Sequence, residues 1–193
     1  MPIPTIFLDR DGTINNDPGY LSDPKSVTLI EGAGAGIKLL KDAGFLIVVV
    51  SNQSGIARGL MTADDVNKVN ARINQLLEIY YNTSVDHFFY CPHHEDFGGK
   101  EACGCRKPGT GMLEEAVEKF DIDKTASWMV GDSTADIMAA KNFGIRSILV
   151  QTGNGREHFS VLQEQNKLPN FTCLNLFDSA KVILKYKSGV FDC

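Results

Sequence analysis

Two aspartates, Asp9 and Asp11, stand in Asp9-Arg10-Asp11-Gly12-Thr13, directly after the apolar run Thr5 to Leu8. A carboxylate at the end of a buried strand needs a partner, and two this close repel unless a cation or a shared proton intervenes. Mg²⁺ suits such a place, because it takes oxygen ligands and keeps several waters. Gly12 lets the backbone turn sharply after the pair. Taken alone, the pentapeptide reads equally well as a solvated Asp-Gly turn. A second set of residues points to a different metal. Cys91-Pro92-His93 and Cys103-Gly104-Cys105 supply two close ligand pairs, Cys₃His in all. Four such ligands on a loop fit tetrahedral Zn²⁺ with no position left open, hence a structural site. The alternative is free thiols beside a surface histidine, and the paired spacing favours zinc. His94 competes with His93; the tight Cys-x-His spacing, matching Cys103-x-Cys105, favours His93. Cys105 immediately precedes Arg106-Lys107, so a metal that fixes Cys105 also fixes two cations.

Other polar residues fall in equivalent places along the chain. Phe45 to Val50 ends in Ser51-Asn52, and Val85 to Tyr90 in Cys91. Trp128 to Val130 ends in Gly131-Asp132, and Ile145 to Val150 in Gln151-Thr152-Gly153. These runs are rich in β-branched and aromatic residues, as buried parallel strands are. Helical periodicity lies between them: Ala33 to Ala43 stopping at Gly44, a segment N-capped by Thr62 with Val66, Val69, Ile73, Leu76, Leu77 and Tyr80 on one face, Met112 to Phe120, and Thr134 to Phe143 stopping at Gly144. The alternation predicts an α/β fold, a Rossmann-like parallel sheet with helices on both faces, in a single domain 1–193. After Gly153 the pattern is less regular; an edge strand over Phe171 to Leu176 and a last helix over Asp178 to Tyr186 are expected. Ligands of such sheets sit beyond the carboxyl ends of the strands, where Asp9, Ser51, Cys91 and Asp132 all fall.

The composition, 43% hydrophobic and 22% charged over 193 residues, supports one substantial core without staples. A net charge of −5 argues against nucleic acid as a partner. No apolar run approaches the roughly 20 residues that span a bilayer, so no membrane partner is expected. The N-terminus lacks the charged and apolar regions of a secretion signal, which predicts a cytoplasmic protein. There the five cysteines read as metal ligands or free thiols rather than disulfides. Cys173 reads as a buried thiol, and Cys193, His87 and His158 have no partner that the sequence names.

The four strand-end segments together resemble the haloacid dehalogenase superfamily of phosphatases. Its motifs read here, in the family's order, Asp9-Arg10-Asp11-Gly12-Thr13, Ser51-Asn52, Lys107-Pro108 and Gly131-Asp132-Ser133-Thr134-Ala135-Asp136. The likeness runs from Thr5 to Gly153. It implies a capless, Mg²⁺-dependent phosphoric monoester hydrolase in which Asp9 attacks phosphorus and forms an aspartyl-phosphate. Asp11 would protonate the leaving oxygen and then help deprotonate the attacking water, so it must hold a proton part of the time in a less solvated setting. Mg²⁺ would be held by Asp9, the Asp11 backbone carbonyl and Asp132, and phosphoryl oxygens by Ser51, the Asn52 amide, Lys107 and Arg106. Asp136 has two readings, orienting Lys107 or orienting a metal-bound water.

Within the superfamily the zinc loop resembles two groups, the heptose-1,7-bisphosphate 7-phosphatases and the histidinol-phosphate phosphatases. Asp17-Pro18-Gly19-Tyr20 and Asn52 to Gly59 look like the first group, which implies Gly19, Tyr20, Gln53, Ser54 and Arg58 as substrate contacts. Ser51 stands where that group often has Thr. Charge agrees: Arg106 and Arg58 suit the phosphate of a bisphosphate that stays behind, whereas histidinol phosphate ends in cationic groups. The expectation is a monomer that removes the C7 phosphate of a small sugar bisphosphate. Histidinol phosphate is the alternative substrate, and a non-catalytic zinc-stabilised binding module the third reading.

Overall fold

The computed structural model describes residues 1–97 and 103–189. Among the described residues six strands form in chain order: β1 (Ile3–Leu8), β2 (Leu46–Asn52), β3 (His87–Cys91), β4 (Ile122–Gly131), β5 (Arg146–Val150) and β6 (Phe171–Cys173). Six α-helices connect and follow them: α1 (Ala33–Asp42), α2 (Ala63–Tyr81), α3 (Gly111–Lys119), α4 (Thr134–Phe143), α5 (Gly155–Glu164) and α6 (Leu176–Lys187). All strand pairs are parallel, in the order β3-β2-β1-β4-β5-β6. The chain winds outward from β1 through β2 and β3, then crosses back to lay β4 on the other side of β1. That reversal is where open α/β sheets form their ligand crevice.

Because side chains alternate across a strand, each strand feeds both faces. Ile6, Leu8, Ile47, Val49 and Val130 pack under α1, α2 and α6. Phe7, Val48, Val50 and Met129 pack under α3 and α4. With both faces covered, residues 6–8, 47–50, 128–130 and 148–150 of the central four strands have no polar side, which is why they read as unbroken apolar runs. Thr62 caps α2 as its sequence promises: its hydroxyl accepts from the Asp65 N–H, and the Asp65 carboxylate accepts from the Thr62 N–H. Ser133 and Asp136 build the same reciprocal cap on α4.

Three elements differ from expectation. Helix α5 fills the stretch after Gly153 that looked irregular. Its N-cap Asn154 makes no side-chain cap bond, and it docks mainly through Phe159 and Leu162, too few apolar residues for a clear period. Strand β4 begins six residues before Trp128, because Ile122 and Asp123 pair with Ile3 and Pro4 ahead of a register shift. Strand β6 stops at Cys173, with Leu174 exposed, because the Asn175 side chain accepts from the Asp178 N–H and starts α6 at Leu176. Among the described residues no helix is long and apolar enough to cross a membrane.

Candidate active site

The ends of β1 and β4, the loop before α3 and the first turn of α4 bring four of the singled-out residues to one place. The Asp9 N–H donates to the Val130 carbonyl at 2.9 Å, tying the first carboxylate to the neighbouring strand. Asp9 Oδ1 accepts from Lys107 Nζ at 2.6 Å, and the same ammonium donates to Asp136 Oδ1 at 2.6 Å. Asp136 is fully buried, and its other oxygen accepts from the Ser133 N–H and hydroxyl. Of its two readings, the contact made is the one to Lys107.

Asp132 completes the group: Asp9, Asp132 and Asp136 each present an oxygen within 4.8 Å of the others. The Asn154 N–H donates to Asp132 Oδ2 at 2.8 Å. That oxygen lies against two glycines in left-handed conformation, Gly12 (φ +82°) and Gly153 (φ +54°), where a Cβ would fall 2.2 and 2.1 Å from it.

Charge is crowded here. Burial, and then Asp136, Asp132 and Asp11, raise the Asp9 carboxyl well above the usual range although Lys107 pulls the other way. Burial pushes Asp132 up to about 6, with Asp136 adding to it and the Asn154 N–H opposing it. Burial works against the Lys107 charge, but Asp136 and Asp9 outweigh it and hold the ammonium protonated. Three buried carboxylates against one cation leave room, electrostatically, for a divalent ion, and an all-oxygen donor set fits Mg²⁺. Both Asp136 oxygens already have protein donors, so the side chains free to ligate are Asp9 and Asp132.

Asp11 stands apart from that cluster. Its carboxylate accepts from Arg10 Nε (3.1 Å) and Nη2 (2.8 Å), Asn15 Nδ2 (2.9 Å) and Gln53 Nε2 (2.8 Å). Arg10 is buried, and its Nη1 donates to Asn70 Oδ1 on α2 at 3.1 Å. Each of these hydrogen-bond partners donates, so the carboxyl group serves as an acceptor at both oxygens. The sequence assigns no role to Arg10, which here holds Asp11 from beneath.

Asn52 acts through its side chain. Its Oδ1 accepts from the Lys107 N–H at 2.9 Å and its Nδ2 donates to the Lys107 carbonyl at 3.0 Å, clamping that residue's backbone at two points. Behind Lys107 lies the Cys₃His group. Cys91 Sγ is 3.0 Å from Cys105 Sγ and 3.4 Å from Cys103 Sγ, and His93 Nδ1 is 3.4 Å from Cys105 Sγ. These are the edges of a closed tetrahedral ligand set, suited to zinc and without a vacant corner. His93 supplies the imidazole; His94 instead meets Arg58, with Nε2 2.8 Å from Nη2. Arg106 Nη1 donates to the His93 carbonyl at 3.2 Å, so the loop carries this cation too. Residues 98–102 of the loop, like Cys193, lie outside the described residues.

Gly19, Tyr20, Gln53 and Ser54 line one cavity of about 330 Å³ beside Asp11 and Asn52. Gln53 is nevertheless buried, with its amide nitrogen engaged by Asp11 Oδ2 and by Ser51 Oγ. Arg58 stacks on Phe97 at 4.5 Å and lies 6.0 Å from the Tyr20 ring, outside that cavity. Arg106, Lys107, His93 and His94 line a second cavity of about 270 Å³. A larger open groove along Pro24, Lys25, Lys68 and Arg72 contains none of these residues.

Residues 104–176 match the HAD-hydrolase-like family. The D-glycero-beta-D-manno-heptose-1,7-bisphosphate 7-phosphatase of Pasteurella multocida is 37% identical over 186 residues, 95% of this chain and 98% of its own. The enzyme of the same name from Escherichia coli K12 is 42% identical over 158 residues, 78% and 81% of the two chains. The crystal structure of D,D-heptose 1,7-bisphosphate phosphatase from B. bronchiseptica, complexed with magnesium and phosphate, superposes with a TM-score of 0.83 at 34% identity, covering 95% of this chain and 99% of that one. The chain belongs to the heptose-bisphosphate phosphatase family of HAD-like hydrolases.

Three residues of this phosphatase escape sequence reasoning. Arg10 and Asn70 meet across 60 positions, and a lone Asn on an amphipathic helix signals nothing by itself. His158 Nδ1 accepts the Thr134 N–H at 3.2 Å, fastening the start of α4 beside Asp132. The zinc loop carries a testable consequence. Stripping zinc at saturating Mg²⁺ should lower the melting temperature by about 10 °C or more, because a closed metal site contributes folding free energy directly. KM should rise more than kcat falls, since Asn52 still clamps Lys107 whereas Arg106 and His94 lose their loop. Unchanged melting and kinetics after verified zinc loss would exclude a structural role.

Proposed function

We propose that this chain hydrolyses the 7-phosphate of D-glycero-D-manno-heptose 1,7-bisphosphate, with Asp9 as nucleophile. The observation that carries the chemistry is the buried Lys107 ammonium shared by Asp9 and Asp136, with the Asp132 carboxylate alongside. The activity named for relatives that cover nearly the whole chain supports the substrate, as do two arginines, Arg58 and Arg106, on the zinc-loop side.

An Asp9 oxygen attacks phosphorus as the bond from phosphorus to the C7 oxygen breaks. Asp11, having taken a proton and turned away from Arg10, gives it to that leaving oxygen. Water then attacks the phosphorus of the acyl phosphate, yields its proton to Asp11, and Asp9 leaves as carboxylate. Lys107, the Ser51 hydroxyl and the Asn52 N–H face the phosphoryl oxygens. Asp136 holds Lys107 in place throughout. Mg²⁺ held by Asp9, Asp132 and the Asp11 carbonyl would supply the positive charge that offsets repulsion between Asp9 and the phosphate. This reading takes the chain as one cytoplasmic, monomeric domain; a dimer mass in sedimentation would sink the monomer, and export in a fractionated cell the location.

The deciding measurement is phosphate release from a panel: both anomers of the heptose bisphosphate, fructose 1,6-bisphosphate and histidinol phosphate. The expected preference is for the heptose bisphosphate. A tenfold or greater preference for histidinol phosphate would overturn the assignment.

A further inference from the structure

We propose that Gln53 is a positioning residue for phosphoryl transfer, whose one amide nitrogen aims the Ser51 hydroxyl and holds Asp11 beside it. The inference rests on the phosphatase reading above.

Gln53 follows β2, and its N–H donates to the carbonyl of Cys91 at 2.8 Å, so its backbone is pinned to the end of β3. Its side chain is 4% exposed. Nε2 carries two hydrogens. One meets Ser51 Oγ at 2.7 Å and the other Asp11 Oδ2 at 2.8 Å. The carboxylate accepts only, which fixes the amide orientation with nitrogen toward both partners.

Two consequences follow. A nitrogen of this kind cannot accept, so the Ser51 proton must point elsewhere. The contact to Gln53 is the one hydrogen bond at Ser51 Oγ among the described residues. With a lone pair of Oγ taken on the Gln53 side, the hydroxyl hydrogen is left for a phosphoryl oxygen. Meanwhile Asp11, which also accepts from the buried Arg10, is held one shared amide nitrogen away from Ser51, the residue that will hold the phosphate. A phosphoryl group seated on Ser51 thus arrives next to the acid that must serve its leaving oxygen. A glutamine that merely contacted sugar would have no reason to spread one nitrogen over these two groups.

The test uses the full-length, metal-loaded enzyme and two substrates that differ in their need for an acid. The heptose bisphosphate releases an alkoxide, which needs a proton; p-nitrophenyl phosphate releases a stable phenolate, which does not. kcat/KM reports events up to the first irreversible step, so it isolates transfer to Asp9. Gln53→Glu keeps the shape but turns the donor into an acceptor. It should lower kcat/KM for the bisphosphate about 100-fold, and for p-nitrophenyl phosphate about tenfold or less, in line with what a positioned acid contributes. Gln53→Met, of similar length and without donors, gives the same comparison if the first variant melts below assay temperature. Equal falls for the two substrates, or no fall, would show a packing role and overturn the inference. A wild-type enzyme inert on both substrates would instead overturn the phosphatase reading and this inference with it.

Discussion

Asp9→Asn is expected to abolish turnover while leaving the fold at least as stable. The loss in kcat should be at least about 10⁴-fold, since the variant has only an amide in place of the proposed carboxylate nucleophile. No acid-stable phosphate should remain on the chain after quenching. Stability should move the other way. In the metal-free fold, burial and then three neighbouring carboxylates hold the Asp9 carboxyl well above its usual range. A carboxyl raised in this way binds more protons folded than unfolded. Its contribution therefore turns unfavourable as pH climbs past the unfolded value of about 3.9. An amide of the same shape removes that penalty, and Lys107 keeps Asp136 as its partner. Melting in EDTA at pH 7 should be unchanged or higher than wild type, and the gap should grow as pH is raised from 4. Retained turnover would refute the nucleophile; a melting point several degrees lower would refute the account of crowded charge.

Lys107→Met should damage both properties at once. It leaves Asp9 and Asp136 buried without their shared cation. Removing one partner of a buried ion pair costs about 3–5 kcal/mol, or roughly 10 °C in melting temperature for a domain of this size. If the ammonium meets the phosphoryl oxygens as proposed, its loss should lower kcat/KM by about 10²–10³-fold. The double variant Lys107→Met/Asp136→Asn separates the two effects. With one buried charge gone, part of the stability should return, and none of the activity. Full recovery of both would mean that the ammonium serves only to neutralise Asp136.

The contrast between these variants follows from where information lies in the chain. Strand ends are legible because covered sheets demand apolar runs that stop at function, as at Leu8, Asn52 and Gly131. Zinc ligands are legible because ligation by a loop imposes short spacings, and those spacings favoured His93 over His94. Illegible residues are those whose role arises only by long-range approach. Asn52 has a side-chain role as well, clamping Lys107, which lies 55 positions away and leaves no local signal of it. Nor does the sequence place the Gln53 nitrogen between Ser51 and Asp11. Helix α5 escaped because its two anchoring residues meet a small cluster with Ile137 and Leu149 rather than the main core.

The seat of Asp132 between Gly12 and Gly153 has an outcome for anyone scanning this gene by saturation. Neither glycine holds a proton, a charge or a nucleophile, yet each is the wall that decides where a carboxylate oxygen can rest. The smallest replacement, a methyl group, enters space that oxygen occupies. Damage at either codon would register as weakened affinity for the divalent ion. A survey ranking positions by chemical reactivity would place both at the bottom, and a survey ranking them by intolerance would place them beside Asp9.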